Sequence, residues 1–160
     1  MPPIISVVGK SGSGKTTLIV KLIPELKKRG YRIGIVKHAS HGFEMDHQGK
    51  DSWRHKASGA ETVIIVSPGR IAMVKDEAFD GFDGLDRYFE EMDLVITEGF
   101  KRRNRPKIEV CRAERNAEPL CRDDENLIAL VTDTTIRLNV PTFGLDEIEA
   151  LADLIEEKYL

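Results

Sequence analysis

Eight residues near the amino terminus, Gly9-Lys10-Ser11-Gly12-Ser13-Gly14-Lys15-Thr16, fit the pattern G-x-x-x-x-G-K-[ST] at every fixed position. Each fixed type has a chemical reason. Gly9, Gly12 and Gly14 can take backbone angles that a Cβ resists, so the amides of Gly9, Ser11, Gly12, Ser13 and Gly14 can turn toward one anion. Lys15 has the reach to set a point charge on β- and γ-phosphates, and the Thr16 hydroxyl suits Mg²⁺ bridging them, with Thr17 following in the same turn. An apolar run, Ile4–Val8, leads in and a helical pattern from Lys15 leads out. That strand-to-helix setting is the context the pattern requires, and the start of the helix adds its positive end.

The rest of such a site must come from strand ends, because ligands of open α/β sheets lie beyond the carboxyl edge. Glu98 closes an apolar strand and precedes a glycine; it is the candidate to approach the Mg²⁺ shell or to orient a water toward the γ-phosphate. Asp93 stands at the wrong end of that strand. After the second strand comes a long polar passage with Lys37, His38, His41, Asp46, His47 and Lys50. Asp46 is a further candidate for Mg²⁺, alongside Thr16 and Glu98, or a solvated loop acid. The three histidines match no common zinc spacing and suit a second anionic ligand better. Lys37, Lys50 and Lys101 would add positive charge. Asp133, after the strand ending at Val131, could accept from guanine N1–H and N2–H₂ or simply form a turn.

Composition bounds the rest. The 160 residues carry 24 basic and 27 acidic side chains, a net charge of −3, so no general attraction to nucleic acid or to an anionic membrane is expected. No run approaches the ~20 apolar residues of a span, and Met1-Pro2-Pro3 running straight into a strand does not read as a signal peptide. A cytoplasmic protein is expected. Cys111 and Cys121 read as reduced, incidental thiols.

Strands are predicted at 32–37 (buried), 62–66 and 71–75 (a hairpin or edge pair), 94–97, 106–112, 127–131 and 140–143. Helices are predicted from Lys15 with a bend at Pro24, around Trp53 and Ala57, through Leu85, Tyr88, Phe89 and Met92, and after Asp146 as a cap. A basic loop at 102–105 and a surface loop at 116–126 join them. This is an α/β pattern, a three-layer phosphate-loop fold with a mostly parallel central sheet and an antiparallel extension, in one domain.

Taken together, the eight-residue loop, Lys37-His38 with His41 and Asp46, Gly49-Lys50-Asp51-Ser52, Ser58-Gly59-Ala60, Glu98-Gly99-Phe100-Lys101 and Pro106-Lys107-Ile108-Glu109-Val110 resemble the molybdopterin-guanine dinucleotide biosynthesis protein B family over essentially the whole chain. The resemblance implies a homodimer that binds GTP with Mg²⁺, hydrolyses it weakly, and assists the molybdopterin guanylyltransferase as nucleotide donor or adapter, with molybdopterin as a further ligand. Some dimeric ATPases of the wider class insert a lysine at the position of Lys10 into the partner's site. An ATP-dependent small-molecule kinase or ligase and a non-catalytic, nucleotide-gated adapter are the rival functions.

Overall fold

In the computed structural model the described residues are 1–39, 42–77, 84–101, 104–115 and 118–160; His41, Arg102, Arg103 and Asn116, singled out above, lie outside them. The chain divides into two compact units, Met1–His38 with Leu85–Leu160, and Ala39–Gly84.

The first unit holds a six-stranded sheet: β1 (Ile4–Val8), β2 (Ile33–Lys37) and, as the second unit's strands intervene in sequence, β5 (Leu94–Glu98), β6 (Lys107–Cys111), β7 (Leu127–Thr132) and β8 (Thr142–Phe143). The order is β2-β5-β1-β6-β7-β8, every pairing parallel. Parallel strands need crossovers, and the crossovers leave all carboxyl ends on one edge. Helices α1 (Lys15–Lys28) and α3 (Ile148–Tyr159) pack together over one face. Leu18, Ile19, Leu22 and Leu26 of α1, with Leu151, Ala152 and Ile155 of α3, meet Ile5, Val7, Leu94, Ile96, Ile108, Val110, Ala129 and Val131 of the sheet. Arg29 ties the helices at their far ends by donating to Glu25, Asp153 and Glu156.

The opposite face is covered by turns. Phe89 and Met92 lie over Gly34, where a Cβ would overlap the Phe89 ring. Val8, Cys121 and Leu127 form a smaller cluster with Leu138 and Val140. The helix expected through Leu85 and Met92 is a single 3₁₀ turn, Asp86–Tyr88. Pro24 lies inside α1, which runs on to Lys28. Two further expectations are corrected. Strand β2 is an edge strand with Ile35 40% exposed, not a buried one. Asp146 makes no cap: its carboxylate takes the Lys21 ammonium, and Glu147 instead accepts from the Gly144 amide.

The second unit contains α2 (Asp51–Ala57) and an antiparallel hairpin of β3 (Thr62–Ser67) and β4 (Arg70–Lys75), which is a sheet of its own. Pro68 and Gly69 make its turn, with Gly69 at φ 78°. Lys56 of α2 pairs with Asp76 just beyond β4.

Candidate functional site

Residues 9–14 bridge the carboxyl end of β1 and the first turn of α1. Gly9, Gly12 and Gly14 take φ of 146°, 72° and 93°, the region that favours glycine, and at Gly9 a Cβ would overlap the Val110 carbonyl oxygen and stand 2.6 Å from Ser13 Oγ. Gly14 precedes α1 without a side-chain cap, so the amides of the first turn, Lys15, Thr16 and Thr17, have no intrahelical acceptor and suit an anion at the helix start. Two observations fit an anion there. The Ser13 hydroxyl is buried with no hydrogen-bond partner among the described residues, and the Lys15 ammonium folds back onto the carbonyls of Gly9 (3.1 Å) and Lys10 (2.8 Å). Burial holds the Lys15 pKa below the usual lysine value; Glu98 opposes the shift, and Lys37 and Lys101 add to it.

Beside the loop, β5 and β2 end in register, Lys37 opposite Glu98. The Glu98 carboxylate accepts from the Thr16 hydroxyl at 2.7 Å and faces the Lys37 ammonium at 3.8 Å. Its side chain is 14% exposed. Thr16 and Glu98 thus present a hydroxyl and a carboxylate side by side at the lip of the loop, a donor set suited to a hard cation. The Gly99 amide donates to the Val7 carbonyl, and the His38 amide to the Glu98 carbonyl. The His38 ring packs on Phe100, centroids 4.9 Å apart, and Phe100 holds a left-handed φ of 59°. Asp93, at the opposite end of β5, accepts the Arg32 amide at 2.6 Å.

Other candidates fall elsewhere. Asp46 belongs to the second unit, where its carboxylate accepts the His47 amide at 2.8 Å; with Trp53, Lys56, Val63, Val74 and Asp76 it lines a cleft of that unit. Asp133 follows β7 and binds inward. Its Oδ1 accepts the Ala113 amide (2.9 Å) and its Oδ2 faces Arg112 Nε (3.4 Å), contacts that hold its pKa below the usual carboxylate range. The main chain of Lys10 is engaged by Lys15 and by the Ser13 amide.

Two residues escaped sequence reasoning. Arg112 follows β6, and Arg115 closes the 3₁₀ turn Ala113–Arg115. The Arg115 guanidinium lies 3.1–3.3 Å from where a Gly12 Cβ would stand, and Arg112 Cδ lies 3.8 Å from the same point at Gly14. The available signal was the end of the alternating segment at Arg112: β6 flanks β1 directly, so its exit opens beside the loop just as that of β5 does. A pocket of about 240 Å³ on this side is lined by Thr17, Lys21, Arg112, Val131, Leu145 and Asp146 among others.

A parallel sheet whose central strand feeds a glycine-bent loop into a helix, with Lys15, Thr16 and Glu98 gathered at its mouth, defines a phosphate-loop protein of the α/β class. Comparison narrows the class. The profile of molybdopterin guanine dinucleotide synthesis protein B matches residues 4–133. The molybdopterin-guanine dinucleotide biosynthesis adapter protein of Haemophilus influenzae is 38% identical over 157 residues, covering 96% of this chain and 88% of that one. Its Escherichia coli counterpart is 35% identical over 166 residues, covering 98% and 93%. The crystal structure of Bacillus subtilis MobB superposes with a TM-score of 0.78 at 28% identity, covering 99% of this chain and 98% of the other. The chain belongs to the molybdopterin guanine dinucleotide synthesis protein B family.

Proposed function

We propose that this chain acts in the formation of molybdopterin guanine dinucleotide as an adapter that binds GTP with Mg²⁺ at residues 9–17, hydrolyses it slowly, and works as a homodimer with the guanylyltransferase. The pathway role rests on family membership and on the names of the relatives at 35–38% identity. The nucleotide reading rests above all on the Thr16–Glu98 contact beside the folded loop. Mg²⁺, when bound, would neutralise charge on the β- and γ-phosphate oxygens. The chain's own residues do the rest. Main-chain amides hold the phosphates, Lys15 swings from the carbonyls of Gly9 and Lys10 to a phosphate oxygen, and Glu98, released from Thr16, orients water.

Dimerisation draws support from the hairpin. Ile64 and Met73 pair across it, as do Val66 and Ile71, and this face leaves Val66 70% and Ile71 72% exposed. An apolar strip on a short two-stranded sheet is the kind of surface that a second protein covers.

The deciding experiment is a calorimetric titration of GTP, GDP and ATP with and without Mg²⁺. GTP binding that exceeds ATP binding and strengthens with Mg²⁺ supports the proposal; no affinity for any purine triphosphate at millimolar concentration ends it. Label passing from ATP to a small metabolite would favour the kinase or ligase function. Addition of the chain to a guanylyltransferase reaction, with raised yield of the guanine dinucleotide, tests the adapter role.

A further inference from the structure

We infer that Arg115 is a nucleotide-binding residue that clamps the α- and β-phosphates, leaving the γ-phosphate to Lys15, Thr16 and Glu98; this rests on the nucleotide reading above. The direction of the ligand follows from the sheet. Strands β5 and β6 flank β1 on opposite sides. The β5 side carries the Thr16–Glu98 pair, where a cation and the γ-phosphate belong. The β6 side carries the pocket lined by Thr17, Arg112, Val131 and Leu145, the space open to a nucleoside. A triphosphate joining the two must lay its α- and β-phosphates along residues 12–14.

Arg115 covers that stretch. Its Nε, Cζ and Nη2 stand 3.1, 3.2 and 3.3 Å from the Gly12 Cβ position, so the flat guanidinium lies against the loop in space that only glycine leaves. It shares a narrow crevice with Lys10, Ser13 and Glu118, and Ser13 bears the buried hydroxyl that lacks a partner. Two of the neighbouring charges, Arg112 and Glu109, are engaged elsewhere. Arg112 is taken by Glu114 (2.8 Å) and Asp133, and Glu109 accepts the amides of Leu120 and Cys121. Arg115 is exposed and has no carboxylate partner within ion-pair distance among the described residues. A planar fork of donors beside a phosphate-binding loop forms paired, charge-assisted hydrogen bonds to phosphate oxygens.

The test compares Arg115→Ala and Arg115→Lys with the parent chain, titrating fluorescent GDP and GTP analogues in Mg²⁺ and measuring turnover at saturating GTP. Affinity for GDP and GTP should fall together by about tenfold in Arg115→Ala and by less in Arg115→Lys. The melting temperature of the nucleotide-free chain should stay at the parental value. Loss confined to GTP, or reduced turnover at unchanged affinity, would mean a γ-phosphate role and overturn the inference; unchanged affinities would overturn it as well. Lys15→Ala is titrated alongside. Should the parent and Lys15→Ala bind nucleotide equally, the nucleotide reading itself fails and takes Arg115 with it.

Discussion

The Thr16 hydroxyl donates to Glu98 Oε1 at 2.7 Å, joining the first turn of α1 to the end of β5 across 82 residues of sequence. The two groups separate experimentally. Thr16→Ala removes the hydroxyl suited to the cation, so the strengthening of GTP binding by Mg²⁺ should disappear while binding in EDTA persists. Glu98→Gln keeps the shape and removes the charge. It should lower turnover by roughly a hundredfold, the scale of a lost general base, with GTP affinity changed little. Titrations with and without Mg²⁺, together with phosphate release, check both.

Gly9→Ala should abolish nucleotide binding. The new methyl group meets the Val110 carbonyl oxygen and Ser13 Oγ at a φ that alanine resists, so β6 and the loop cannot both stay in place. A loss of about 1–3 kcal/mol in stability is expected from such a strained residue, read by urea denaturation beside the titration.

Leu22→Ala separates fold from site in the other direction. Leu22 is fully buried between α1, α3 and the sheet, so truncation should cost about 2–5 kcal/mol. At a temperature where the variant remains folded, GTP affinity should match the parent.

What the sequence made legible was whatever a local pattern dictates. Residues 9–16 and Glu98 could be placed because glycine spacing and strand polarity are written within a few residues of each. The faces of α1 and α3 followed from their 3.6-residue period. What escaped depends on distant neighbours. The edge position of β2 is decided by which strand pairs with β5, and no residue within β2 records it. Lys107 and Glu109 alternate with apolar residues like a half-exposed strand, yet both are about 1% exposed, because Asp124 and the amides of Leu120 and Cys121 come back from another loop to satisfy them. Arg115 was invisible for the same reason, since its approach to Gly12 depends on β6 lying next to β1.

The hairpin gives a prediction about assembly. Val66 and Ile71 stand opposite one another, 70% and 72% exposed, and a charge at either position costs little in a monomer but would be buried in the homodimer proposed above. The double variant Val66→Lys/Ile71→Lys should shift sedimentation equilibrium from dimer to monomer, with GTP affinity retained.

Acid stability should depend on Lys107 and Asp124. Their charges lie 2.9 Å apart, with the lysine side chain only 2% exposed and the aspartate 26%. The Lys107 ammonium holds the Asp124 carboxyl below its ordinary value of 3.8; burial opposes this, and the Asn126 amide assists. A carboxyl whose pKa is lower folded than unfolded binds fewer protons in the native state. The stability it confers is therefore complete above about pH 4 and drains as pH falls through the folded value. Asp124→Asn should remove that part of the acid loss. It should also cost about 3–5 kcal/mol at pH 7, because it strands a buried ammonium. Pairing it with Lys107→Met should recover much of that loss, since neither partner is then left charged. Urea denaturation of the parent, the single and the double variant at pH 7 and at pH 3 checks all three outcomes. An Asp124→Asn variant as stable as the parent at pH 7 would show that Lys107 is satisfied without a charged partner, the Arg105 carbonyl 3.4 Å away already accepting from it.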